Sequence, residues 1–115
     1  MSEMIYRRMG ATGLKLSIFS IGSWVTYGST VDESAAKACL LAAYENGVNF
    51  FDNAEAYGSG KAELVVGNIL KELPRESLVI SSKVFWGGDG PNERGLSAKH
   101  VIEACHGALR RLQTD

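Results

Sequence analysis

The hydrophobic positions of this chain change period several times, and each change marks an element. Residues 5–9 (IYRRM) and 14–18 (LKLSI) flank the turn-forming GATG, which predicts a small N-terminal β-hairpin or lid with Gly10 and Gly13 in its turn. The apolar run IFSIGSW at 18–24 reads as a buried strand. TVDE at 30–33 matches a capping box, with Thr30 as N-cap and Glu33 reaching back to it. The helix that follows runs to about Asn46, carries Ala36, Cys39, Leu40 and Ala43 on one face, and ends at Gly47. Strand VNFFD occupies 48–52. A second helix over about 61–73 has the stripe Ala62, Val65, Val66, Ile69 and Leu73, and Pro74 stops it. Strand LVISSK fills 78–83, and a glycine-rich loop follows at 85–95. Ser97 caps a third helix in which Val101, Ala104, Cys105, Ala108, Leu109 and Leu112 recur with helical spacing.

The order is therefore a hairpin and then β-α-β-α-β-α. Alternating units with apolar strands predict a parallel sheet covered by helices. Three parallel strands alone would leave two long unpaired edges. The expectation is an α/β fold comprising the first three βα units of a (β/α)8 TIM barrel, with residues 1–115 forming the N-terminal portion of one larger barrel domain.

Composition narrows the function classes. The chain has 115 residues, 45% hydrophobic and 22% charged, a net charge of −1, and no basic stripe. Nucleic acid and anionic membranes are poor partners for such a surface. The N-terminus MSEMIYRRMG lacks the apolar core of a secretory signal, and no run reaches the length of a membrane span. Cys39 and Cys105 are expected to be buried free thiols in a reducing compartment, which predicts a cytoplasmic protein.

The chemistry gathers at the carboxyl ends of the strands, where parallel α/β folds place their sites. The first strand ends in Ser23-Trp24, the second in Asp52 with Tyr57 close behind, and the third in Lys83. By parity, Val48, Phe50 and Asp52 share one strand face, and Val79, Ser81 and Lys83 share another. If both faces point into a barrel, the carboxylate and the ammonium meet at its mouth and pair, because neither is tolerated there alone. A nearby ammonium stabilises phenolate and lowers the pKa of a phenol from its usual value of about 10. Tyr57 then becomes a general acid able to protonate a carbonyl oxygen while a cofactor supplies hydride. Taken singly, each residue has a bland reading: Asp52 as a cap, Lys83 as a solvated amine, Tyr57 as packing. The weight lies in the three together at one rim.

Several motifs fail on inspection. YGSGKAE is not a phosphate loop, since Glu55 stands where the first glycine is needed and Ala62 where Ser or Thr must follow the lysine. A dinucleotide fingerprint starting at Gly58 fails at Glu63. No His/Cys cluster has metal-ligand spacing, and no GxSxG elbow occurs.

FDNAEAYGSGKAE resembles the signature of the aldo-keto reductases, and IGSWVTYG resembles their first strand and following loop. SLVISSKVFWGG and ERGLSAKHVIEACHGALRRLQTD are similar to the branch that contains voltage-gated potassium channel β-subunits and their bacterial relatives. The resemblance covers nearly the whole chain. It implies an (α/β)8 barrel preceded by a hairpin, with NADPH/NADP+ as cofactor and a small carbonyl substrate. It implies that Tyr57 is the proton donor, that Lys83 lowers its pKa, and that Asp52 pairs with the lysine near the nicotinamide ribose. Ser23 and Trp24 match positions lining the cofactor and substrate pocket, Thr30 matches a cofactor contact in the channel-subunit branch, and Trp86 is a candidate pocket wall. The family's fourth catalytic position, a histidine or asparagine, falls after the next strand. His100 and His106, on the third helix, are expected to be surface residues. The implied function is NADPH-dependent reduction of aldehydes or ketones, with this stretch inactive alone. The alternative is a non-enzymatic NADPH-binding β-subunit of a membrane channel, with a homo-oligomer or the channel itself as partner.

Overall fold

The computed structural model describes residues 3–24 and 31–115. Two short antiparallel strands, β1 (Tyr6–Arg8) and β2 (Lys15–Ser17), form the expected hairpin. The Tyr6 hydroxyl donates to the Gly47 carbonyl at 2.7 Å, and the Asn49 side chain accepts from the Ser17 amide at 2.9 Å. Both anchors, Gly47 and Asn49, lie just before the strand that ends in Asp52, so the hairpin sits at the amino end of the sheet, opposite the chemistry, and is no lid over it.

The sheet has three parallel strands in the order β3 (Ile21–Gly22), β4 (Phe50–Asp52), β5 (Val79–Ser81). Gly22, Asp52 and Ser81 stand level in register. The strands are shorter than the apolar runs suggested, but the pairing continues past their ends. Ser23 N–H donates to the Asp52 carbonyl at 3.1 Å, Asn53 N–H to Ser81 at 2.9 Å, and Glu55 N–H to Lys83 at 3.2 Å. These bonds fix the backbone of the carboxyl rim even where the ladder is irregular.

Three helices follow the strands: α1 (Glu33–Glu45), α2 (Lys61–Leu70) and α3 (Ala98–Leu112). Alternation puts Phe51, 1% exposed, into a core with Ala36, Leu40, Val48, Ala62, Val66, Ile69 and Leu112. Phe50 and Asp52, on the other face of β4, are half-buried. The predicted stripes face the core, with three exceptions. Cys39, Val101 and Cys105 are exposed rather than buried; Cys105 shares the helix face of Leu112 but lines a groove beside Ile80 instead of packing into the core. Two helix boundaries also differ. The cap of α1 is Asp32, not Thr30: its carboxylate accepts from the Ala35 amide at 2.8 Å and from the Ser34 hydroxyl at 2.7 Å. Helix α2 ends at Leu70, where Lys71–Leu73 tighten into a turn before Pro74. Ser97 caps α3 as expected, accepting from the His100 amide at 3.1 Å.

Candidate active site

Asp52 is delivered by the last paired position of β4, and Lys83 lies two residues beyond β5. Between β4 and α2 the chain makes a tight turn at Tyr57–Gly60, where Gly58, Ser59 and Gly60 are all left-handed at φ 58, 54 and 87°. Successive left-handed residues reverse the chain sharply. A serine in that conformation is uncommon, and such strain concentrates near functional sites. The turn folds the Tyr57 side chain back over the rim.

The Lys83 ammonium has three N–H donors, and the structure gives each an acceptor. Nζ lies 2.7 Å from Asp52 Oδ2, 2.8 Å from the Asn53 carbonyl and 3.2 Å from the Tyr57 phenol oxygen. It is also 4.9 Å from the centroid of the Tyr57 ring. The other oxygen of Asp52 accepts from the Ser81 hydroxyl at 2.5 Å. Burial pushes the Asp52 carboxyl up, but the hydrogen bonds from Lys83 and Ser81 and the lysine's charge outweigh it and hold the group below the usual carboxylate value. Burial likewise pushes Lys83 down, and its bonds to Asp52 and Tyr57 more than reverse this, holding the amine above its usual range. The lysine is a fixed cation. Since it can only donate, the phenol oxygen must accept from it, and the phenolic proton is left to point elsewhere.

It has somewhere to point. A cleft of about 500 Å³ opens beside Tyr57 and Lys83, walled by Trp24 on one side and Phe85 and Trp86 on the other. The Trp24 and Tyr57 rings stack at 6.2 Å with a 27° angle between planes, and Phe85 meets Trp86 edge-on at 4.5 Å. An open aromatic cleft around one phenol and one ammonium suits a flat apolar molecule with a single polar atom.

Of the residues singled out from the sequence, the structure brings together Asp52, Tyr57, Lys83, Trp24 and Trp86. Ser23 is buried just beneath them, 2% exposed: its N–H donates to the Asp52 carbonyl at 3.1 Å and its hydroxyl to Asn53 Oδ1 at 2.7 Å, so it faces no cleft. Thr30 lies outside the described residues. His106 is exposed, but His100 is not the surface residue expected; it is 5% exposed and bonded to Glu55 at 2.8 Å. Glu55, in the turn between Asp52 and Tyr57, also lines this region, and no spacing pattern in the sequence marks it.

Residues 19–115 match the model of the aldo/keto reductase family. The chain is 48% identical over 114 residues to proteins of Arabidopsis thaliana and Oryza sativa named as voltage-gated potassium channel subunit beta, covering 97% of this chain and 35% of each relative. It thus spans about a third of the length of the curated relatives it matches. Two solved structures from Pseudomonas aeruginosa, described as aldo-keto reductases, superpose with TM-scores of 0.84 and 0.83 at 32% and 33% identity. They cover 98% of this chain, which corresponds to 44% and 43% of theirs. The hairpin and the three βα units are therefore those of a (β/α)8 barrel, and the chain belongs to the aldo/keto reductase family.

Proposed function

We propose that these residues serve a barrel that reduces aldehydes or ketones to alcohols, with NADPH as hydride donor and Tyr57 as proton donor. The observation that carries the reading is the orientation forced on Tyr57: its oxygen accepts from Lys83 at 3.2 Å, so its own proton is free for a substrate in the cleft.

The donor set suits the nicotinamide–ribose end of such a cofactor. The Asp52 carboxylate is 31% exposed and has acceptor capacity left for a ribose hydroxyl, and the exposed Trp24 indole offers a flat apolar wall. Bound NADPH supplies hydride to the carbonyl carbon. Tyr57 holds the carbonyl oxygen by hydrogen bond and gives up its proton as negative charge grows there. The Lys83 ammonium, held charged by Asp52, stabilises the phenolate left behind. Trp24, Phe85 and Trp86 flank the carbonyl with apolar surface.

The test is aldehyde-dependent oxidation of NADPH by the complete protein. Tyr57→Phe keeps the ring stacked on Trp24 but removes the proton, so kcat is expected to fall by about 10²–10⁴-fold with little change in KM. Unchanged turnover would remove Tyr57 from the chemistry. A second reading is favoured by the names of the two plant relatives: an NADPH-binding regulatory subunit of a channel. It predicts saturable NADPH binding without turnover of any aldehyde. The cytoplasmic face of a membrane would be its working place; among the described residues no helix is long and apolar enough to cross one.

A further inference from the structure

Beside the cleft lies a buried ionisable pair that the reaction above does not use. Glu55 Oε1 and His100 Nε2 are 2.8 Å apart, and the two side chains are 8% and 5% exposed. The same Oε1 atom accepts the Phe85 amide at 2.9 Å. The other ring nitrogen, Nδ1, faces the Asn92 carbonyl at 3.2 Å. Glu55 is two residues before Tyr57, and Phe85 is two residues after Lys83. One carboxylate oxygen therefore ties the segment bearing the phenol, the segment bearing the amine and the aromatic wall to the first turn of α3. The fit is close. A Cβ on Gly87 would come within 2.9 Å of His100 Cε1, 2.8 Å of the Glu93 carbonyl and 3.2 Å of Glu55 Cδ.

We propose that Glu55 and His100 are positioning residues for the cleft: together they clamp the Phe85–Trp86 wall against the Tyr57 segment, and the clamp is complete only while both ring nitrogens of His100 carry hydrogen. The proton count follows from the partners. A carbonyl only accepts, so Nδ1 carries hydrogen. A carboxylate only accepts, so with both bonds made Nε2 also carries one. Losing one of these leaves the ring a single hydrogen for two acceptors, so either the bond to Glu55 or the bond to Asn92 is lost and the clamp loosens. The hydrogen bond to the Glu55 carboxylate is the main influence holding His100 above its usual value; burial opposes it, and the Asn92 carbonyl and the charges of Glu55 and Glu103 add to it. Other charged groups around the ring are Glu93, whose carboxylate accepts from the Gly90 amide at 2.9 Å, and Glu103, paired with Lys99 at 2.6 Å. Relevance to catalysis rests on the reductase reading; the clamp itself does not.

The experiment follows 19F resonances of 5-fluorotryptophan in the complete protein across pH, with Trp86 assigned by Trp86→Phe and the His100 titration read from labelled histidine. The Trp86 signal is expected to shift in step with His100, above the usual imidazole range. That shift is expected to vanish in Glu55→Gln and in His100→Asn, whose folding is checked by circular dichroism. A Trp86 signal that stays flat while His100 titrates in the unmutated protein would overturn the proposal, with no variant needed. So would an unchanged shift in Glu55→Gln, which would assign it to Glu93, Glu103 or another neighbour. Because the readout needs no turnover, a protein that shows the coupled shift yet reduces no aldehyde refutes the reductase reading and leaves the clamp standing.

Discussion

At the scale of single residues, Asp52 and Lys83 make opposite demands on pH. Asp52 has its carboxyl lowered in the folded chain, so its contribution is present above the unfolded value of about 3.9 and is lost as pH falls through the lower folded value. Lys83 has its amine raised, so its contribution is present below the unfolded value of about 10.4 and is lost as pH rises through the higher folded value. The pair therefore holds across the whole neutral range. Lys83 is half exposed, so the pair adds only roughly 0–1 kcal/mol to stability; its role is to keep a cation beside Tyr57. Asp52→Asn is expected to lower the melting temperature slightly at pH 7 and to flatten its fall below about pH 4. Superimposable acid limbs for the two proteins would show that the pairing does not survive in solution. This triad was legible because strand parity and strand ends fix where side chains go. Glu55 and His100 were not, since their partnership spans 45 residues and joins a loop to a helix start. No periodicity carries such a contact; it depends on how the 85–95 loop folds over both.

At the scale of elements, the join between α2 and α3 sets the rim's outer support, and it rests on two features a hydrophobic stripe does not display. Gly67 lets the helices touch: a Cβ there would lie 2.5 Å from the Arg111 carbonyl oxygen and 2.7 Å from Leu112 backbone atoms. Replacing a helical glycine by alanine ordinarily gains about 1 kcal/mol. Here the obstacle is backbone, which cannot rotate away, and overpacking of this kind costs about 1–3 kcal/mol. Gly67→Ala is thus expected to destabilise, with a lower urea midpoint; a raised midpoint would mean the helices are not in contact. The second feature is Glu63, fully buried on α2, which binds Arg111 of α3 and the Ser82 hydroxyl beyond β5. Arg111→Met leaves that carboxylate without its cation, and breaking such a pair costs about 3–5 kcal/mol. Glu63→Gln in the same background is expected to recover part of the loss, and absence of recovery would point to lost packing of the arginine stem instead. The helices themselves were readable from their period and caps. The buried acid was not, because its position on the inner face looks the same as any surface glutamate until the partner helix is in place.

At the scale of the whole molecule, the open question is how much of the barrel these residues can stabilise on their own. Among the described residues β3 and β5 each have one strand neighbour, so each presents an edge of unpaired backbone groups. Beside β5 an apolar groove of about 250 Å³ runs between Ile80, Val84, Cys105, Ala108 and Leu109. In a closed barrel that groove and edge receive the next βα unit, and the mouth is completed by loops from all eight units. The rim described above supplies the phenol, the amine and one acid, which on the proposed reading would hold a nicotinamide ribose but offer little to the rest of a dinucleotide. The 115-residue chain expressed by itself is therefore expected to bind NADPH weakly, without saturation in a fluorescence titration, and to melt over a broad range by circular dichroism. The complete barrel is expected to bind saturably and melt cooperatively. Saturable binding and a sharp melt from the 115 residues alone would contradict this account. Sedimentation would then distinguish a self-sufficient half-barrel from copies that pair their edges, since only the latter would lose both properties on dilution.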